Sequence, residues 1–255
     1  MSTYIESGHA KNTANFDHLI ALLLTYGTNY TPSSPSLAIT NLQTVLTNAQ
    51  TALTNVKNEY NGWKNATNGR EIAFDPLKGL STRLLNTLVA VGANEQTIKD
   101  YKTFNAKVQG SKLTKADAGI IEDPNADAAN KTTLPVKKTV SVSQQSFDNL
   151  IEHYDKIIKL LASVPAYNPT ETALKVATLQ TTLANLKTLN TAAYTSAAKV
   201  SNARIARNKI LYENPDALIV LAKAVKAYIK GKFGASSPEY GQVSSIKFTK
   251  VKTGK

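Results

Sequence analysis

The sequence predicts an all-α protein, a tandem duplication of a small antiparallel helical bundle with two long helices and a short extended C-terminal tail. Three observations predict it. First, Ile39, Leu42, Leu46, Ala49, Leu53, Val56, Tyr60 and Trp63 recur at alternating steps of three and four. That is the spacing of a helix packed along a seam. Second, the stripe returns as Val176, Leu179, Leu183, Leu186, Asn190, Ala193, Ala197 and Val200. Third, landmarks around the two stripes keep the same order. Phe16-Asp-His-Leu-Ile matches Phe147-Asp-Asn-Leu-Ile, and Tyr30-Thr-Pro-Ser matches Tyr167-Asn-Pro-Thr. Asn65-Ala66 then meets Asn202-Ala203 without a gap, and Asp75-Pro76 meets Asn214-Pro215 after one or two inserted residues. Shared order over so long a span is the mark of an internal repeat.

The elements follow in chain order. Residues 1–12 read as a polar N-terminal arm. Thr13 or Asn15 is placed to cap a first helix carrying Phe16, Leu19, Ile20, Leu23 and Leu24, which Gly27 ends. Pro35 suits the first turn of the long second helix, which carries the opening stripe to about Phe74. Gly62 and Gly69 weaken it locally, each by roughly 1 kcal/mol relative to Ala. Asp75-Pro76 breaks it and starts a third helix with Leu77, Leu80, Leu84, Leu85, Leu88 and Val91, with Asp75 as its cap and Gly92 as its end. A short fourth helix carries Ile98, Tyr101 and Phe104.

The expected organisation is a first helical repeat over 13–105, a linker over 106–142, a second repeat over 143–243 and a basic tail over 244–255. The linker is polar and aperiodic, with β-like stretches only at Ile120-Ile121 and Thr139–Val142. In the second repeat, helices are expected over about Ser143–Val164, Thr170–Tyr212 and Pro215–Lys232. In the tail, Ile246 and Phe248 alternate with Lys247 and Thr249. This reads as a short strand, or as an extended strap whose backbone needs a partner.

Composition narrows function. The chain has 255 residues, is 42% hydrophobic and contains no cysteine. It is long enough to bury a real core, and thiolate catalysis, disulfides and Cys-type zinc sites are excluded. The only histidines are His9, His18 and His153. They form no H-E-x-x-H and no Glu-x-x-His pair of the kind that loads a di-iron bundle. No G-x-G-x-x-G, no P-loop and no G-x-S-x-G elbow is present. Glu122-Asp123 lies in the polar linker, where solvated charge is the simpler reading. No cofactor, metal or catalytic residue is therefore assigned. The best apolar run, Leu19–Leu24, is far shorter than the roughly 20 residues of a bilayer span. The N-terminus lacks the basic and apolar regions of a secretory signal, and the expected location is cytoplasmic.

Charge is the strongest functional hint. The net charge is +12, and residues from Leu134 onward hold 18 Lys and Arg against 7 Asp and Glu. Lys223, Lys226 and Lys230 share a helical face. Lys199, Arg204 and Arg207 sit late in the second long helix, and Lys247, Lys250 and Lys252 decorate the tail. If they converge, they suit phosphate backbones or acidic partners. The competing reading is a lysine face that keeps the protein soluble.

Polar positions of the long helices are filled by Thr, Asn and Gln more often than by Glu and Lys. These are mediocre helix formers, so the helices depend on burial, and their flat neutral faces suit contact with another chain. The functional expectation is a non-enzymatic structural or protein-interaction protein that self-associates. The alternatives are a nucleic-acid-associated protein using the basic half, and a small-ligand carrier or enzyme with a site between the repeats.

Three segments carry a resemblance. They are Ser141-Val-Ser-Gln-Gln-Ser-Phe-Asp-Asn-Leu-Ile-Glu-His, Ser201-Asn-Ala-Arg-Ile-Ala-Arg-Asn-Lys-Ile-Leu-Tyr and Phe233-Gly-Ala-Ser-Ser-Pro-Glu-Tyr. Together they resemble a family of bacterial duplicated helical proteins of similar length with no established activity. The resemblance covers most of the chain, its second copy best. It implies a duplicated helical fold and no catalytic residues.

Overall fold

A computed structural model describes residues 7–110 and 145–251. Among the described residues the protein is all-α, with eight α-helices and no strand. They are α1 (Ser7–Thr25), α2 (Ile39–Phe74), α3 (Leu77–Ala90), α4 (Glu95–Gln109), α5 (Phe147–Ala162), α6 (Val176–Asn208), α7 (Leu218–Phe233) and α8 (Pro238–Ser245). Two are long: α2 has 36 residues and α6 has 33. At 1.5 Å per residue they run about 54 and about 50 Å. No helix among the described residues is long and apolar enough to cross a membrane.

The chain divides into two compact units. The first comprises Met1–Lys64 and Thr195–Lys255, and the second Asn65–Tyr194. Both boundaries fall inside the long helices. The units therefore differ from the sequence segments 13–105 and 143–243, because each unit takes helices from both segments. The reason is physical. A long amphipathic helix has more apolar stripe than one small bundle covers, so successive parts of it serve different cores.

In the first unit, Phe16, Leu19, Ile20 and Leu23 of α1 join Leu42, Val45, Leu46 and Ala49 of α2. Leu218, Leu221, Ala222, Val225 and Ile229 of α7 complete the cluster, together with Val243 and Ile246. In the second unit, Phe74, Leu77, Leu84 and Leu88 meet Tyr101 and Val108 of α4. Tyr154, Ile157, Ile158 and Leu161 of α5 and Leu179, Leu183 and Leu186 of α6 close it. Six of the eight positions of the α6 stripe are buried, and four of the eight on α2. The exceptions on α2 are Tyr60, 39% exposed, and the half-buried Ile39, Leu53 and Trp63.

The turns explain the entries and exits. Ahead of α2, a 3-10 turn at Pro35–Leu37 is pinned by Tyr30, whose Oη donates to the Leu37 carbonyl at 2.7 Å. Ahead of α6, a 3-10 turn at Thr172–Leu174 is pinned by Tyr167, whose Oη donates to the Leu174 carbonyl at 3.0 Å. Burial pushes the pKa of both tyrosines up to about 12, so each hydroxyl stays protonated even in strongly alkaline solution. Gly92 ends α3 with φ +73°, a left-handed conformation that glycine adopts without steric cost. Asn94 caps α4 by accepting from the Thr97 amide at 2.8 Å, and Ser146 caps α5 by accepting from the Asn149 amide at 3.2 Å.

Several expectations change. Helix α1 starts at Ser7, upstream of Thr13 and Asn15, so much of the expected arm is helical. The hydroxyl of Thr13 donates back to the His9 carbonyl instead of capping. The Asp75 side chain makes no cap at α3. Helix α4 runs from Glu95 to Gln109, longer than its short apolar pattern suggested. The expected tail from 244 is helical through Ser245, and 246–251 is extended without a strand. Ile120-Ile121 and Thr139–Val142 lie outside the described residues.

Leu46 is 8% exposed and Leu183 is 7% exposed. Truncating either to Ala is expected to cost about 2–5 kcal/mol through lost burial and cavity formation. Leu24→Ala, at a site 55% exposed, should cost far less. Thermal melts of the three variants check the contrast, and equal melts would remove Leu46 and Leu183 from the core.

Candidate functional site

Two of the candidate basic residues, Arg207 and Lys226, are turned into the fold. Lys199, Lys223, Lys230, Lys247 and Lys250 are exposed. Arg204 is half-buried. Arg207 is only 2% exposed and bonds through Nε and Nη2 to Asn208 Oδ1 at 3.2 and 2.9 Å, so it belongs to the interior. Lys226 is half-buried and spent on the chain itself, with Nζ donating to the carbonyls of Ser244 (3.4 Å) and Ile246 and lying 5.3 Å from the Phe248 ring centroid. Burial first, and Lys247 second, lower its pKa. Lys230 lies 5.6 Å from the Tyr240 ring. Lys252 lies outside the described residues. What the fold does gather is charge by unit. The first unit holds fifteen Lys and Arg against six Asp and Glu, a net of +9 out of the chain's +12.

Lys226 and Lys247 lead to the best-built polar site of the first unit, which sequence reasoning missed. After α8 the segment 246–251 runs extended along α1. Asn12, 3% exposed, meets one residue of it at two points. Asn12 Nδ2 donates to the Thr249 carbonyl at 2.7 Å, and the Thr249 amide donates to Asn12 Oδ1 at 3.1 Å. One turn on, Asn15 Nδ2 donates to the Lys247 carbonyl at 2.6 Å. Behind Asn12 stands Tyr212, whose Oη accepts from Asn12 Nδ2 at 3.2 Å and lies 2.7 Å from His9 Nδ1. His9 is fully buried, and its ring is tilted against the Tyr212 ring at 5.5 Å. Tyr212 sits in a π-helical turn, Lys209–Glu213, whose wider winding buries the adjacent Leu211 and Tyr212 together. Such turns often mark special sites in helices. A signal was available: Asn12 and Asn15 are three apart on one helix face, and the Ile246/Phe248 alternation required a partner for its backbone.

The second unit holds a different polar bridge. Asp148, in the first turn of α5, accepts from Asn190 Nδ2 at 2.7 Å and from Tyr194 Oη at 2.6 Å. The hydrogen bond to Asp148 raises the Tyr194 pKa. Asn190 Oδ1 accepts from Arg70 Nη1 at 3.1 Å, and the Arg70 guanidinium lies 3.9 Å from the Phe147 ring centroid. Asn190, 4% exposed, thus carries a link between a cation and an anion through a buried amide. Its counterpart on the first stripe is Leu53.

The remaining histidines stand apart from both polar sites. His18 is exposed, and His153 is 8% exposed, its pKa lowered mainly by burial and then by Lys156. Among the described residues no three His, Asp or Glu side chains converge as metal ligands. A shallow depression lies in the second unit beside Glu71, Asp75, Lys78, Gln145, Phe147 and Leu150. It adjoins the junction at Gln145 with residues 111–144, which are outside the described set. No family model, curated protein or solved structure matches the chain.

Asn190→Leu, which copies the residue of the first stripe, is expected to destabilise the protein by about 1–3 kcal/mol, because Asp148 and Arg70 each lose a partner. Denaturant unfolding measures it. An unchanged midpoint and slope would mean that the bridge contributes nothing.

Proposed function

We propose that the chain is a non-enzymatic helical protein that works by protein–protein contact, with a second copy of itself as partner. The supporting observation is the surface of its long helices. From Ile39 to Val56, α2 carries no charged residue. Thr40, Gln43, Thr44, Thr47, Asn48 and Thr51 are exposed there. The Thr44 and Thr47 hydroxyls donate to the carbonyls four residues back, at 2.9 and 3.0 Å. Helix α6 repeats this: Thr181, Thr182 and Thr188 each donate to a carbonyl four residues back at 3.0 Å. Burying an ion is expensive, and burying a polar group without a bond is moderately so. A neutral face on which several hydroxyl donors are already bonded to their own backbone is cheaper to desolvate than a charged one, and that favours a protein partner.

We infer in addition that the chain arose by tandem duplication. Tyr30 with Leu37 and Tyr167 with Leu174 make the same side-chain bond at positions 137 residues apart. The starts of α2 and α6, Ile39 and Val176, share that offset. The residues inserted before Pro215, relative to Pro76, fall in the stretch that holds the π turn Lys209–Glu213. The resemblance to a bacterial duplicated helical family belongs with this inference and adds no activity.

A second reading, nucleic-acid association, draws on the net charge of +9 in the first unit and its exposed lysines. It would be salt-sensitive and indifferent to sequence.

Light scattering after size exclusion, over a concentration series from micromolar towards millimolar, should show mass rising above 27.5 kDa. A constant monomer mass throughout would overturn self-association. For the second reading, titration of duplex DNA and of RNA should show binding that weakens steeply with salt. No binding at roughly 50 mM salt would remove it.

A further inference from the structure

The extended segment 246–251 is held as peptide-binding proteins hold a ligand. Its backbone carbonyls at Ile246, Lys247 and Thr249 receive side-chain donors from Lys226, Asn15 and Asn12, and its Thr249 amide is answered by Asn12. Ile246 is buried, and Phe248 and Val251 pack against the same core, while Lys247, Thr249 and Lys250 are exposed. Backbone bonds of this kind supply affinity whatever the sequence, and seats for particular side chains supply selection. The seat also has support of its own. Asn12 is bonded to Tyr212, and Tyr212 to His9, so the amide that reads the peptide is oriented by the body of the unit. Preorganisation of that sort lowers the entropy lost on binding. At Gly8 a Cβ would lie 2.8 Å from Val251 Cγ2, so the missing side chain there leaves the notch that Val251 enters.

We propose that this face of the first unit is a binding site for an extended peptide of pattern Ile-Lys-Phe-Thr-Lys-Val. The chain's own residues 246–251 fill it in cis, and the same residues of a second copy fill it by exchange. The occupant is defined by what is seated there, since a second copy offers an identical segment. The segment follows α8 as a single extended strand of chain, so exchange breaks and remakes the same contacts, which makes swapping a low-cost route to assembly. A tethered segment competes at an effective concentration on the order of millimolar, so exchange grows as protein concentration approaches that range or when the cis segment is released. The exchange half rests on the self-association reading above; the peptide site does not.

The test uses the full chain. Ile246→Asp with Phe248→Asp releases the resident segment. Fluorescence anisotropy with a labelled synthetic peptide of residues 245–255 should show saturable binding to this variant at least tenfold tighter than to the parent, whose own tail competes. Adding Asn12→Ala should weaken that binding at least tenfold. A folded variant that does not bind, or binding indifferent to Asn12, overturns the site. Should the double variant fail to fold, amide exchange in the parent decides. The Thr249 amide should be protected, and should lose protection in Asn12→Ala while core amides of α2 keep theirs; an unprotected Thr249 in the parent overturns the site. Light scattering separates the two ideas. A parent that associates and a released variant that associates equally overturn exchange and leave self-association standing. A monomeric parent beside a peptide-binding variant upholds the site and overturns self-association.

Discussion

Burial of the apolar stripe on each long helix is the constraint on which the rest of the structure depends. Helices α2 and α6 are rich in Thr and Asn, residues that form helices poorly by themselves. They carry few charged pairs to help. The ion pairs seen among the described residues lie on α4 and α5, and all are i,i+4 pairs open to solvent on at least one side, of small individual worth. The long helices therefore persist because Leu42, Leu46 and Ala49 in one core, and Leu179, Leu183 and Leu186 in the other, are out of water. The same Thr content that weakens the helix leaves its outer face uncharged, which links a stability liability to a surface suited to a partner.

Buried polar groups then specify what apolar packing leaves loose. In the second unit, Asn190 interrupts an otherwise apolar stripe, and Asp148, Tyr194 and Arg70 give it a reason to be there. In the first unit, Asn12 and Asn15 interrupt the polar-to-apolar progression of α1 and fix an extended segment that has no sheet to join. An amide suits both places, because it donates and accepts together, and a buried amide with one side unmet would be costly. In each unit the polar site is a device for holding chain in one register.

The all-α class and the two long helices were legible in the sequence because helical periodicity is a local property repeated over many residues. The stripes, Gly92 as an end and the tyrosine-led turns before each long helix all came from spacing. The starting point of α1 did not. Ser7–Asn12 looks polar, and the reason that His9 and Asn12 are buried lies about 200 residues away at Tyr212 and Thr249. The candidate basic site was legible only as a count. Lysine and arginine side chains reach far, and their direction depends on neighbours. Arg207 turned inward and Lys226 turned to backbone carbonyls, while Lys223 and Lys230 stayed in solvent.

What the sequence by itself determined is an all-α chain with two long amphipathic helices, repeated landmarks and a charge concentrated late in the chain. Each depends on the order and type of residues along a few turns, which the chain carries wherever it goes. Only the tertiary structure decided which helices share a core, that each compact unit draws on both halves of the chain, and that the alternating tail binds side-chain amides rather than a strand. Those choices are made by burial and hydrogen-bond satisfaction between residues far apart in sequence. No local pattern encodes which distant partner will meet a given stripe or an unpaired backbone.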